Sequence, residues 1–193
     1  EMTPVTLGWA GTQELRDAIG AFKDSGKPCI VWGDQFTNMA YYLATACDDI
    51  RVAPSGITLV NGLSMTQSYY SETLAELGVS ANFEHVGDFK SAVEPYERTG
   101  PSESASQATN ALLDSLYSQF LRGISEGRSI TIDEAEALID VPPMNPADSL
   151  ARGMVDALEY RDEVLDEVGE DRRKMSEYIG QLRRSWTQGG QSI

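Results

Sequence analysis

The chain has 193 residues, 41% of them hydrophobic and 23% charged, which is enough for one domain with a real core. Thirty acidic residues against fifteen basic ones give a formal net charge of −15, a field that repels phosphate backbones and argues against nucleic acid as a partner. No stretch approaches the roughly 18 apolar residues of a membrane span, and no signal peptide is visible at the start.

Gly11-Thr12 opens a helical pattern in which Leu15, Ala18, Ile19 and Phe22 share a face, and DSGKP (24–28) closes it. CIVW (29–32) reads as a short apolar strand, and Met39, Tyr42, Leu43 and Ala46 mark a helix over 38–46. Cys29 falls in the apolar run and Cys47 ends the helical stretch, so both are expected as buried thiols, with no disulfide geometry legible between them. IRVAP (50–54) and GITLV (56–60) read as two further strands. A capping box at Ser64–Gln67 predicts a helix through Tyr69, Leu74 and Leu77 that stops at Gly78. ANFEHV (81–86) predicts a fourth strand, with His85 at its end as a packing or surface residue.

Beyond the loop TGPSES (99–104), Ser104–Gln107 can cap a long helix whose stripe is Ala108, Leu112, Tyr117, Phe120, Leu121 and Ile124. Thr131–Glu134 is another capping box, before a short helix through Ala137 and Leu138. VPPMNP (141–146) breaks the chain. ADSLARGMVDAL (147–158) supplies a short helix, a glycine turn and a strand-like piece. Residues 160–185 read as charged and helical, and the acidic run 156–171 as a solvated face. The order of elements predicts an α/β fold with parallel crossovers. We expect an α/β domain over 1–160, lacking a strand before its first helix, and a charged helical extension and linker over 161–193. The opening without an initiator methionine and the linker-like TQGGQSI ending suggest a fragment of a longer chain.

Phosphate-loop, dinucleotide, nucleophile-elbow and metalloprotease motifs are missing. One histidine and two cysteines without ligand spacing build no zinc site, so neither metal nor cofactor is expected. Trp9, Trp32 and Trp186 are scattered and form no aromatic platform. Lys90 stands apart from the other lysines, Lys23, Lys27 and Lys174, which lie in polar turns or helices. Gly87 is expected to end a strand, Asp88 to cap a helix, and Phe89-Lys90-Ser91 to form its first turn, with Pro95 keeping it short. There the helix dipole and the apolar neighbours Phe89, Ala92, Val93 and Tyr96 would disfavour the ammonium. A lysine serves as a general base only as the neutral amine. The local pattern leaves a snorkelling surface lysine open as the alternative.

GDFKSAVEPYER (87–98), together with residues 26–64 and ARGMVDAL (151–158), resembles the amino-terminal half of the signal peptide peptidase A family. These are membrane-anchored serine proteases with a Ser/Lys dyad. The resemblance implies a crotonase/Clp-protease-like α/β fold and a lysine-bearing half in which Lys90 is the general base. The serine would come from another domain of the same or a neighbouring chain. Where the other half would hold its serine this chain has Asn38, followed by Met39 and Ala40 instead of glycines, so the isolated chain is expected to be inactive. The resemblance further implies signal-peptide or other apolar extended substrates, a homo-oligomer, and a place on the extracytoplasmic side of the cytoplasmic membrane. The residues lining the substrate groove are not indicated. A related protease with other substrates, or a silent crotonase-like assembly scaffold, are the alternatives.

Overall fold

In the computed structural model, which describes residues 1–2, 6–84, 86–141, 144–169 and 173–180, the chain divides into two units, Glu1–Leu158 and Glu159–Ile193. The centre of the first is a β-α-β unit made of β1 (Ile30–Thr37), α2 (Asn38–Ala44) and β2 (Asp49–Leu59), following α1 (Trp9–Asp24). β1 and β2 run parallel, from Ile30 opposite Asp49 to Gly33 opposite Val52. The register then slips, and Gln35 faces Ile57. The slip absorbs the Ala53–Gly56 bend, so the two strands expected at 50–54 and 56–60 form one bulged strand, with Pro54 where it forfeits no ladder bond. β3 (Ala157–Leu158) joins the far edge of β2 in parallel, giving the order β1-β2-β3 and a mixed α/β fold built on a parallel sheet.

The core lies between this sheet and α5 (Glu103–Arg128). Every residue from Ala40 to Ala44 is buried, packed with Phe36, Ile50 and Val52 from the strands and Phe120, Leu121 and Ile124 from α5. Apolar burial of this kind contributes about 1.5–3 kcal/mol per large side chain. Thr131 caps α6 (Ile132–Ile139) through the expected box with Glu134. α7 (Pro146–Ala151) follows, and its turn delivers the chain to β3.

Several expectations change. The long helix is capped by Ser102, whose Oγ accepts the Ala105 N–H at 3.1 Å, not by Ser104. Its predicted stripe holds only in its C-terminal half, since Ala108 and Leu112 are exposed. In α1 the inward residues are Thr12, Arg16 and Ile19, while Leu15 and Phe22 face outward. Residues 61–70 form no helix: Tyr70 gives its N–H to the Pro95 carbonyl at 2.6 Å and stacks on Tyr96, so the helix begins only at α3 (Ser71–Glu76), ending before Gly78. Residues 81–84 form no strand: the Phe83 N–H goes to the Glu97 carboxylate at 2.8 Å, and among the described residues no strand pairs with them. His85 lies outside the described residues, as do Trp186 and the linker-like ending.

Cys29 and Cys47 are joined as a disulfide, not left as thiols, and their Cα atoms are 4.8 Å apart. The β-α-β turn brings them together, which spacing along the chain could not show. Asp156, at the start of the acidic run, is exposed as expected, and its carboxylate also accepts the Ile50 N–H at 2.8 Å and pairs with Arg128 at 2.7 Å. In the second unit, α8 (Arg161–Val168) starts where the Glu163 carboxylate accepts the Tyr160 N–H at 2.6 Å, and residues 175–180 are helical.

Candidate active site

Lys90 sits in the excursion between β2 and α5, and the local backbone differs from the sequence expectation. Asp88 and Phe89 form a turn closed by the Lys90 N–H, which donates to the Gly87 carbonyl at 3.2 Å. The helix begins only at α4 (Glu94–Glu97), a single turn with Pro95 in its first positions, where a missing N–H costs little. Lys90 therefore closes a turn and occupies no first helical turn, and the dipole argument does not apply to it. Phe89, Ala92 and Tyr96 are exposed and Val93 half-buried, so the apolar wall around the amine is open. The Lys90 side chain is exposed and makes no hydrogen bond or ion pair among the described residues.

The surroundings of the loop are polar and well bonded. An open cleft of about 750 Å³ between the loop and the start of α5 is lined by Asp88, Phe89, Glu94, Arg98, Ser102 and Gln107, among others. Its charged lining differs from the apolar pockets that hold an apolar peptide. Glu94 is buried, and its carboxylate accepts the N–H and the hydroxyl of Ser102 at 2.9 and 2.6 Å. Tyr96, two residues further on, stacks on Tyr70 and meets Phe83 at a tilt, with ring centroids 6.1 Å apart in each pair. Sequence reasoning passed over Glu94, Ser102 and Ser104 as site residues. The signal for Glu94 was its place four residues after Lys90 in the same distinctive string.

Asn38, at the position of the expected nucleophile, is the first residue of α2. Its Oδ1 accepts the Asn61 N–H at 3.0 Å and its Nδ2 donates to the Gly62 carbonyl at 2.6 Å. Both ends of the amide are thus engaged in tying the β1–α2 corner to the loop after β2. The hydroxyls of Ser102 and Ser104, at the start of α5, are committed to Glu94 and to the Asp88 carbonyl. Among the described residues no serine hydroxyl is hydrogen-bonded to the Lys90 amine, and no group of three His, Cys, Asp or Glu there could hold a metal ion.

Residues 21–175, a span containing β1, α2, β2 and the lysine loop, match peptidase family S49. The chain belongs to peptidase family S49. Among its relatives, Protease 4 of Haemophilus influenzae is 36% identical over 116 residues, 60% of this chain and 19% of that protein. The chloroplastic serine protease SPPA of Arabidopsis thaliana is 27% identical over 162 residues, 84% of this chain and 24% of that protein. Protease 4 of Salmonella typhi is 34% identical over 127 residues, 64% of this chain and 21% of that protein. The chain thus spans about a fifth to a quarter of the length of these relatives. The S49 membership accords with the resemblance to signal peptide peptidase A drawn from the lysine string.

Proposed function

We propose that this chain is the lysine-bearing half of a Ser/Lys-dyad serine endopeptidase, with Lys90 as the general base. The observation that carries the reading is an exposed lysine held in a bonded loop, with no acid paired to it among the described residues. A serine supplied by another domain of the same or a neighbouring chain would give up its proton to the neutral amine and attack the scissile carbonyl. The enclosure that Phe89, Ala92, Val93 and Tyr96 leave open would then be completed by that domain. Asn38, engaged at both ends of its amide, supports the view that the nucleophile is not built here. The isolated chain would accordingly be inactive.

The same reading places the domain in the crotonase/Clp-like group, with signal peptides or other apolar extended peptides as substrates and a homo-oligomer as the working assembly. Exposed Leu15, Phe22, Leu77, Phe89 and Leu112 offer apolar surface suited to such contacts. The Cys29–Cys47 disulfide supports an oxidising compartment, as on the extracytoplasmic side of the cytoplasmic membrane. Among the described residues no helix is long and apolar enough to cross a membrane, so an anchor would be supplied by other residues.

The test is Lys90→Ala and Lys90→Arg in the intact protease. Both should lose peptide hydrolysis by about 10²–10⁴-fold, because a guanidinium stays protonated and cannot accept the serine proton. Thermal unfolding should stay within about 0.5 kcal/mol of wild type, as expected for an exposed side chain. Near-wild-type turnover by Lys90→Arg would sink the general-base role.

A further inference from the structure

The loop that carries Lys90 is tied to one place at both ends. On its N-terminal side the Ser104 hydroxyl donates to the Asp88 carbonyl at 2.6 Å. On its C-terminal side the Glu94 carboxylate, on a residue only 6% exposed, accepts the Ser102 N–H at 2.9 Å and the Ser102 hydroxyl at 2.6 Å. Ser102 is the N-cap of α5, and its Oγ lies 3.2 Å from that of Ser104. Both ties therefore end on the first turn of the same helix. Lys90 stands two residues after the first tie and four before the second. Across this stretch the backbone closes on itself twice, Lys90 N–H to the Gly87 carbonyl at 3.2 Å and Glu94 N–H to the Ser91 carbonyl at 3.1 Å.

A base has to lie within hydrogen-bond reach of the hydroxyl it deprotonates. Lys90 has a flexible four-carbon stem and rises from a loop with exposed neighbours, so local packing does not fix its origin. The far end of α5 is anchored in the core through Phe120 and Ile124, both fully buried. A carboxylate buried at a helix N-terminus and bonded to an N–H and a hydroxyl is held where the dipole favours it. The helix thereby gives the lysine turn a rigid reference that the loop alone lacks.

We propose that Glu94 and Ser104 are positioning residues for Lys90, fixing its loop to the first turn of α5 so that the amine is presented in one place. The proposal rests on the general-base reading of Lys90. Glu94 and Ser104 act through the backbone and touch no reacting atom.

The experiment compares Ser104→Ala, Ser104→Thr and Glu94→Gln in the intact protease, by hydrogen exchange of peptides spanning 86–94 and by steady-state peptide hydrolysis. Ser104→Ala removes the hydroxyl and should speed exchange of the Lys90 and Glu94 amides about tenfold or more. Its kcat should fall by roughly ten- to a hundredfold, the cost of a misplaced group, with KM within about twofold and unfolding unchanged. Ser104→Thr keeps the hydroxyl and should restore both exchange and kcat. Glu94→Gln should show the same signature more strongly, and if it fails to fold the Ser104 pair still decides. Unchanged exchange in Ser104→Ala overturns the tie. Faster exchange with unchanged kcat overturns the positioning role, and Lys90→Arg then separates the two ideas. An inactive Lys90→Arg leaves the base standing without its positioning residues; an active one removes the base itself.

Discussion

Asn38 shows how one side chain can be read as an absence or as a device. Against a serine protease it looks like a missing nucleophile. In the structure its amide accepts from Asn61 at 3.0 Å and donates to Gly62 at 2.6 Å. Asn38→Asp keeps the shape but turns a carboxylate oxygen toward the Gly62 carbonyl. We expect this to destabilise the domain by about 1–3 kcal/mol at neutral pH, as when a half-buried hydrogen bond is replaced by an unsatisfied acceptor. Chemical denaturation measures it, and an unchanged midpoint would show that the bridge carries no weight. Lys90 makes the complementary point. Its identity as a candidate was legible in the string around it, whereas its backbone was not: the sequence suggested a first helical turn, and Lys90 closes a turn before the helix. Pro95, which on sequence alone limits that helix, sits in the first turn of α4, because proline ends one helix and begins another with equal ease.

At the scale of elements, α5 organises the domain, and its fit depends on two residues the sequence pattern passed over. Gly123 and Gly127 lie one turn apart on the face that meets α2. A Cβ on Gly127 would run into the Thr45 carbonyl oxygen, with the Thr45 Cβ at 2.6 Å, and one on Gly123 would meet the Tyr42 ring. The same contact holds Arg16, whose guanidinium donates to Thr45 Oγ1 at 2.8 Å, to the Gly123 carbonyl at 2.6 Å and to the Tyr42 carbonyl, and lies 4.7 Å over the Tyr42 ring. Burial pushes the Arg16 pKa down, against the pull of Tyr42, Glu126 and Asp17. Gly127→Ala would raise helix propensity by about 1 kcal/mol in a peptide. Here we expect a net loss of about 1–3 kcal/mol from overpacking against backbone that cannot yield. Differential scanning calorimetry decides it, and a raised midpoint would mean that the helices can part.

At the scale of the whole first unit, the chain closes through Asp156. Its carboxylate takes the Ile50 N–H at 2.8 Å and two bonds from Arg128 at 2.8 and 2.7 Å, while its own N–H reaches the Ile50 carbonyl at 2.7 Å. These contacts join β2, the end of α5 and the segment entering β3. Burial alone would raise the Asp156 carboxyl, but the bonds from Arg128 and Ile50 outweigh it and hold the group below its usual 3.8. The unfolded chain therefore takes up this proton first as the pH falls. The stabilisation is complete above the ordinary aspartate range and is lost as the pH drops through the lower, folded-state value. Asp156→Asn should cost about 1–2 kcal/mol at pH 7, the worth of charge-assisted bonds discounted for partial exposure. The difference from wild type should shrink in unfolding titrations carried below pH 4. A difference that stayed constant with pH would remove the ionised pair as its cause.

Periodicity and capping chemistry sufficed for what is local. The α2 run, the Thr131–Glu134 box, the strand expected at 29–32 (which in the structure runs on to Thr37) and the α/β order all follow from residues within a few positions of one another. The lysine string likewise pointed to the peptidase family by itself. What tertiary structure decided was pairing between distant residues. Residues 81–84 have strand composition, yet a strand exists only where another backbone accepts its N–H groups, and Glu97 took the Phe83 N–H instead. Cys29 and Cys47 lie 18 residues apart in the chain and become neighbours because a helix folds back between two parallel strands. The sequence places Glu94 four residues after Lys90, but its partner Ser102 comes from the start of another helix. A hydrogen bond needs its partner within about 3 Å, and for these residues the chain supplies that partner only after it has folded.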